Sequence, residues 1–128
     1  MLYAILCYHN EDFVTSWPKE EDDAVLAKRG KVTSELAAKG KMGPAIRLMP
    51  TSAATTIRNG QGGDLVLDGP FAETKEQLLG FYILEGDSLE EVIEAAKRIK
   101  EGESCTFEIR PIQIFKKGVI SEESLTAS

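Results

Sequence analysis

The sequence is poor in the side chains that most metal and redox sites need. It has one histidine, His9, one tryptophan, and two cysteines, Cys7 and Cys105, separated by most of the chain. One His and two distant Cys without C-x-x-C spacing cannot close a zinc site, so no metal and no cofactor are expected. The cysteines read as reduced thiols of a cytoplasmic protein, with Cys7 a small core residue. Basic residues are not in excess: 15 Lys and Arg face 21 Asp and Glu, for a net charge of −6. That balance speaks against general nucleic-acid binding and leaves room for a local cationic pocket that takes an anionic metabolite. No stretch approaches the roughly 20 apolar residues of a membrane span. The opening "MLYAILCYHNEDF" has neither a basic n-region nor a small-residue cleavage site, and it reads as a strand rather than a signal peptide. G-x-S-x-G and a phosphate loop ending in Lys-Ser/Thr are both missing. "NGQGGD" is rich in glycine, but it joins two strands instead of opening a helix, so the dinucleotide reading fails.

What is present is an ordinary globular composition. At 128 residues, 42% apolar and 28% charged, the chain has the size of one domain with one core. Leu2–Tyr8 is an apolar run bounded by polar "HNED", which predicts a buried strand. Pro18 followed by Glu20, Glu21, Asp22 and Asp23 predicts a helix start, since acidic groups interact favourably with the positive helix end. Val25, Val32 and Leu36 then share a face until Gly40, giving an amphipathic helix from about Pro18 to Lys39. Pro44 and Pro50 interrupt the next segment, whose first part is expected to be an edge or a loop. "ATTIR" and "LVLDG" flank the Asn-Gly and Gly-Gly turn residues as a hairpin, and "GFYILE" is the next strand. Thr74 and Gln77 have capping-box spacing, which predicts one helical turn. Ser88 and Glu91 repeat that spacing before a stripe of Leu89, Val92, Ile93, Ala96 and Ile99, and Gly102 ends that helix. "CTFEIRPIQIF" closes the pattern as a strand, ahead of a polar tail over 117–128.

Strands and helices in this order predict an α+β fold: a ferredoxin-like split β-α-β with an antiparallel sheet and two helices. In such a sheet the first and last strands are neighbours, which should bring Cys7 and Cys105 close together. Two helices cover one sheet face. Phe81, Tyr82, Ile83 and Leu84 are apolar in succession, so both faces are apolar, and a second subunit is the expected cover.

"ATTIR", then "DGPFAETKEQLLGFYILE", then "FEIRPI" resemble the DGPF-domain proteins of the YCII-related family, over a domain spanning 1–116. The resemblance implies a dimeric α+β barrel. It also implies a gene neighbourhood of extracytoplasmic-function sigma factors, but no assigned reaction. One YCII-related branch is credited with a His–Asp pair whose His lies on the first helix. The helix predicted here has no histidine, so that pair does not carry over.

Asp68 in this motif is either a turn residue, with Gly69 free to take positive φ, or a general base at a strand end. Glu73 and Lys75 are either a solvated charged face or the rim of an anion pocket, while Glu76 reads as solvated. Phe71 is either a core plug or a stacking platform. Hairpin pairing should set Arg58 against Leu65 and Asp68 near Thr55. Arg58 and Arg110 are each a cross-strand ion pair or a carboxylate or phosphate clamp. His9 is a solvated strand-end residue or a proton shuttle.

The catalytic expectation is therefore Asp68 and His9, with Arg58, Phe71, Glu73, Lys75, Tyr82 and Arg110 around the substrate. The expected function is binding of a small anionic metabolite with proton transfer or lactone-type isomerisation. The alternative is a non-catalytic ligand-binding or regulatory module.

Overall fold

A computed structural model describes residues 1–121. Strand β1 (Leu2–His9) leads through a short helix α1 (Glu11–Thr15) into the long helix α2 (Lys19–Ala38). Then come β2 (Met42–Arg47), a 3-10 turn at Thr51–Ala53, the hairpin β3 (Thr55–Gly60) and β4 (Gly63–Asp68), β5 (Gln77–Glu85), α3 (Leu89–Lys100) and β6 (Thr106–Pro111). Four strands form one antiparallel sheet in the order β2-β5-β1-β6, which is the ferredoxin-like order expected. Of the predicted polar tail, residues 117–121 have no regular structure, and the remainder lies outside the described residues.

Local chemistry explains most boundaries. Asn10 caps α1 by accepting from the Phe13 N–H at 3.1 Å. Pro18 stands immediately before α2, and Gly40, at φ 71°, ends it. There the Gly40 N–H reaches the Ala37 carbonyl at 2.9 Å and the Lys41 N–H reaches Leu36 at 3.0 Å, a Schellman closure. Ser88 caps α3, and Glu91 reaches back to the Asp87 N–H at 2.8 Å, one residue before the cap.

"MGPAIR", expected to be an edge or a loop, is the edge strand β2, and its register on β5 slips between Met42 and Ala45, where Pro44 has no N–H to give. Two expectations are corrected. The hairpin β3–β4 stays outside the main sheet as a separate two-stranded ribbon. Its register is the expected one, Arg58 opposite Leu65 and Thr55 opposite Asp68. No helical turn forms at Thr74. Thr74 and Gln77 instead bond to the carbonyls of Glu76 and Thr74, and Gln77 opens β5. A capping pattern without a following apolar stripe has nothing to hold a helix against the core.

The core lies between the sheet and helices α2 and α3. Ile5, Leu84, Val92 and Ile99 are fully buried, and Tyr3, Val32, Leu36, Ala95 and Ala96 complete the cluster. Leu89, placed on the α3 stripe by its spacing, is exposed. Side chains alternate along the strands, so Phe81 and Ile83 face away from Tyr82 and Leu84. No helix among the described residues packs on the Phe81 side.

Candidate functional site

A cavity of about 480 Å³ opens between α1, the first half of α2, β2 and the helix side of β1 and β5. Its position follows from the packing. α2 meets the core through Val32 and Leu36, in its second half, and its first half overhangs the sheet. Val14, Trp17, Val25 and Leu26 roof the space, and Cys7, Gly80 and Tyr82 floor it. Glu11 braces the entrance by accepting from the Thr51 N–H at 2.9 Å and from the Thr51 hydroxyl. Gln77 holds the same residue by accepting from the Glu11 N–H at 2.9 Å.

Arg29 is the central charge. It donates to Glu103 from Nε at 2.8 Å and from Nη2 at 2.6 Å, a bidentate pair, and from Nη1 to the Tyr82 hydroxyl at 3.2 Å. The guanidinium carbon lies 5.3 Å from the Phe107 ring centre and 6.0 Å from that of Tyr82. Nη2 also lies 3.7 Å from the Cys7 sulfur and 3.5 Å from the Cys105 sulfur. Lys28 adds a second cation to Glu103 at 2.5 Å.

These contacts shift the titrations. Burial works against the charge of Glu103, but hydrogen bonds from Arg29 and Lys28 outweigh it, and the carboxyl pKa is lowered. Burial likewise opposes the charge on Arg29, and hydrogen bonds to Glu103 and Tyr82 overcome it and raise its pKa. A hydrogen bond from Cys105, helped by the charge of Arg29, lowers Cys7 to about 6 against the opposing effect of burial. Cys105 moves the other way: interaction with Cys7, burial and the Glu103 carboxylate, to which its thiol donates at 3.8 Å, keep its proton in place.

His9 ends β1 at the cavity wall. Its ring stacks on Phe13, with centroids 4.9 Å apart and planes 3° from parallel. Nε2 lies 2.8 Å from the Ser104 hydroxyl, and Nδ1 is buried without a hydrogen-bond partner among the described residues. Tyr82 accepts from Arg29, so its own proton remains available to a ligand oxygen.

Of the residues expected from sequence, His9 and Tyr82 line the cavity, and the rest stand elsewhere. Asp68 and Arg58 are exposed on the hairpin, and their register puts them on its opposite faces. Glu73 and Lys75 are exposed on the following loop. Phe71 is 77% exposed, so it plugs no core in this chain. Arg110 is exposed on β6, on the face opposite Phe107 and Ile109. Cys7 and Cys105 meet as the strand order requires, both as free thiols. Arg29 and Glu103 were not anticipated. The available signal was spacing: Arg29 falls on the stripe of Val25, Val32 and Leu36, where a solvated residue would not sit.

Fold and cavity together define a small α+β protein of ferredoxin-like topology, with a mostly apolar chamber between sheet and helices. The chain belongs to the YCII-related family, whose domain matches residues 1–116, in agreement with the resemblance carried by "DGPFAETK". It is 45% identical over 120 residues to an uncharacterized protein of Rhizobium meliloti (strain 1021), covering 92% of this chain and 97% of that protein. No helix is long and apolar enough to cross a membrane among the described residues.

Proposed function

We propose that the cavity binds a small, largely apolar metabolite with one anionic or carbonyl oxygen, and that His9 transfers a proton on it. The observation carrying this reading is the buried, unpartnered Nδ1 of His9 on the wall of a ligand-sized chamber. A buried nitrogen without a partner costs free energy, and a ligand that bonds to it recovers that cost. With the Nε2 proton given to Ser104, Nδ1 is a base; in the other tautomer it is a donor. Tyr82 supplies the second half. Its hydroxyl, polarised by Arg29, is placed to donate to an oxygen on which negative charge develops. His9 stands four residues beyond Ile5, the strand partner of Tyr82, on β1. That is about 13 Å along the strand, a span closed by a tyrosine side chain and a ring-sized ligand. Proton movement beside a carbonyl, as in a lactone isomerisation, fits a base at one end and an oxygen donor at the other.

We also infer that the chain is a homodimer through the sheet face bearing Leu6 and Phe81, which points away from the core under α2 and α3.

The test is a thermal-shift screen of small lactones, aromatic carboxylates and phosphates, followed by proton-exchange NMR on a hit. Tyr82→Phe should weaken binding about tenfold. His9→Gln should keep most of the binding and lose exchange by about 10²–10⁴-fold. Binding that survives in both variants without any exchange in the wild type would favour the non-catalytic binding module.

A further inference from the structure

We propose that Cys7 and Cys105 form a peroxide-reactive dithiol at the cavity floor, in which Cys7 attacks a hydroperoxide and Cys105 resolves the product as an intramolecular disulfide. This goes beyond the proton-transfer reading and does not depend on it.

The geometry is specific. Cys7 pairs with Phe107 across β1 and β6, so Cys105, two residues earlier on the neighbouring chain segment, is its same-face diagonal neighbour. One nitrogen of Arg29 contacts both sulfurs, at 3.7 Å for Cys7 and 3.5 Å for Cys105, and the Cys105 thiol also donates to the Glu103 carboxylate at 3.8 Å. Both line the cavity, which gives a small oxidant access to otherwise buried sulfur. The charged and titratable groups around the pair are Arg29 from α2, Tyr82 from β5, His9 at the end of β1, and Glu103 with its partner Lys28. Arg29 stands against both sulfurs, but Cys105 also contacts the Glu103 carboxylate, which favours its protonated thiol; that difference divides the pair into attacker, Cys7, and resolver, Cys105.

In the first step the Cys7 thiolate forms an S–O bond as the O–O bond of hydrogen peroxide breaks. The sulfur is oxidised by two electrons to the sulfenic acid, and the departing hydroxide takes a proton from solvent. In the second step Cys105 gives its proton to solvent and attacks the Cys7 sulfur. The S–S bond forms, the S–O bond breaks, and the hydroxide leaves as water. Overall, two thiols and one peroxide yield one disulfide and two waters, and a thiol reductant reverses the change. Diagonal strand positions are about 7–8 Å apart at Cα, slightly beyond the usual disulfide span of about 4.4–6.8 Å. Cys105 precedes β6 in the irregular segment from Glu103, where the backbone can close that gap without breaking the ladder.

The experiment treats the reduced full chain with hydrogen peroxide across a pH series, with intact mass under non-reducing conditions and thiol titration as readouts. Both thiols should disappear together, with loss of two hydrogens from an uncrosslinked chain. The rate should rise with a midpoint near pH 6, compared with about 8.5 for free cysteine. Cys105→Ser should stop at a Cys7 sulfenic acid that a cyclic 1,3-diketone traps, and Cys7→Ser or Cys7→Ala should leave Cys105 unreactive. A midpoint near 8.5, disulfides that join two chains, or no diketone adduct on Cys7 in Cys105→Ser would each overturn the proposal. None of these readouts needs a cavity ligand, so failure here leaves the His9 reading standing, and the reverse.

Discussion

Arg29 on α2 and Glu103 after α3 hold each other by two hydrogen bonds, at 2.8 and 2.6 Å, with their side chains 15% and 7% exposed. This pair ties the long helix to the loop that feeds β6, and it aims the guanidinium at Tyr82 and both thiols. Removing one partner of a buried pair leaves an uncompensated charge. Glu103→Ala should cost about 3–5 kcal/mol, near the lower figure because Cys7 can offset part of the Arg29 charge. Urea unfolding of wild type and variant measures this.

The same pair predicts an acid dependence. The Glu103 pKa is lowered in the folded state, so its contribution is fully present above the unfolded glutamate value of about 4.3 and is lost as pH falls through the folded value. Stability measured below about pH 4.3 should fall less steeply in Glu103→Gln than in wild type. Equal slopes would mean that the carboxylate is not held as described.

Gly80 admits the edge strand. A β-carbon there would overlap the backbone carbonyl of Ile46, so β2 must shift to accommodate it. Gly80→Ala should cost about 1–3 kcal/mol and reshape the cavity wall. Thermal denaturation, with amide exchange of Ala45–Arg47, reports both effects.

The hairpin residues offer a contrast. Asp68 and Arg58 are exposed, and neither side chain makes a hydrogen bond or ion pair among the described residues. Asp68→Asn and Arg58→Lys should each change stability by less than about 0.5 kcal/mol and leave cavity binding unaltered. A loss of ligand affinity in either variant would restore the hairpin as part of a site.

Dimerisation through the uncovered sheet face should bury about 1,200–2,000 Å² or more. Sedimentation should give twice the 14.0 kDa chain mass, and Phe81→Asp should yield a folded monomer. A wild-type chain that sediments as a monomer at micromolar concentration would remove the two-subunit arrangement.

The sequence by itself determined the elements with local causes. Pro18 and the acidic turn after it start α2, Gly40 ends it, Ser88 caps α3, an apolar run defines β1 and alternation defines β6, because propensity, capping and burial period act over a few residues. Strand order followed from element order, and with it the meeting of Cys7 and Cys105. Only the tertiary structure decided where a chamber opens. α2 packs through its second half alone, which leaves space under the first half, and no local pattern encodes where a helix departs from a sheet. Arg29 in "AKRGK" has the composition of a solvated face; it becomes the buried centre of the site through contacts with residues 53 and 74 positions away. Conversely, the distinctive "DGPFAETK" drew attention to Asp68, Phe71, Glu73 and Lys75, which the fold leaves on an exposed hairpin and loop. A turn can be read from its own residues, but the distance between that turn and a cavity depends on packing across the whole chain.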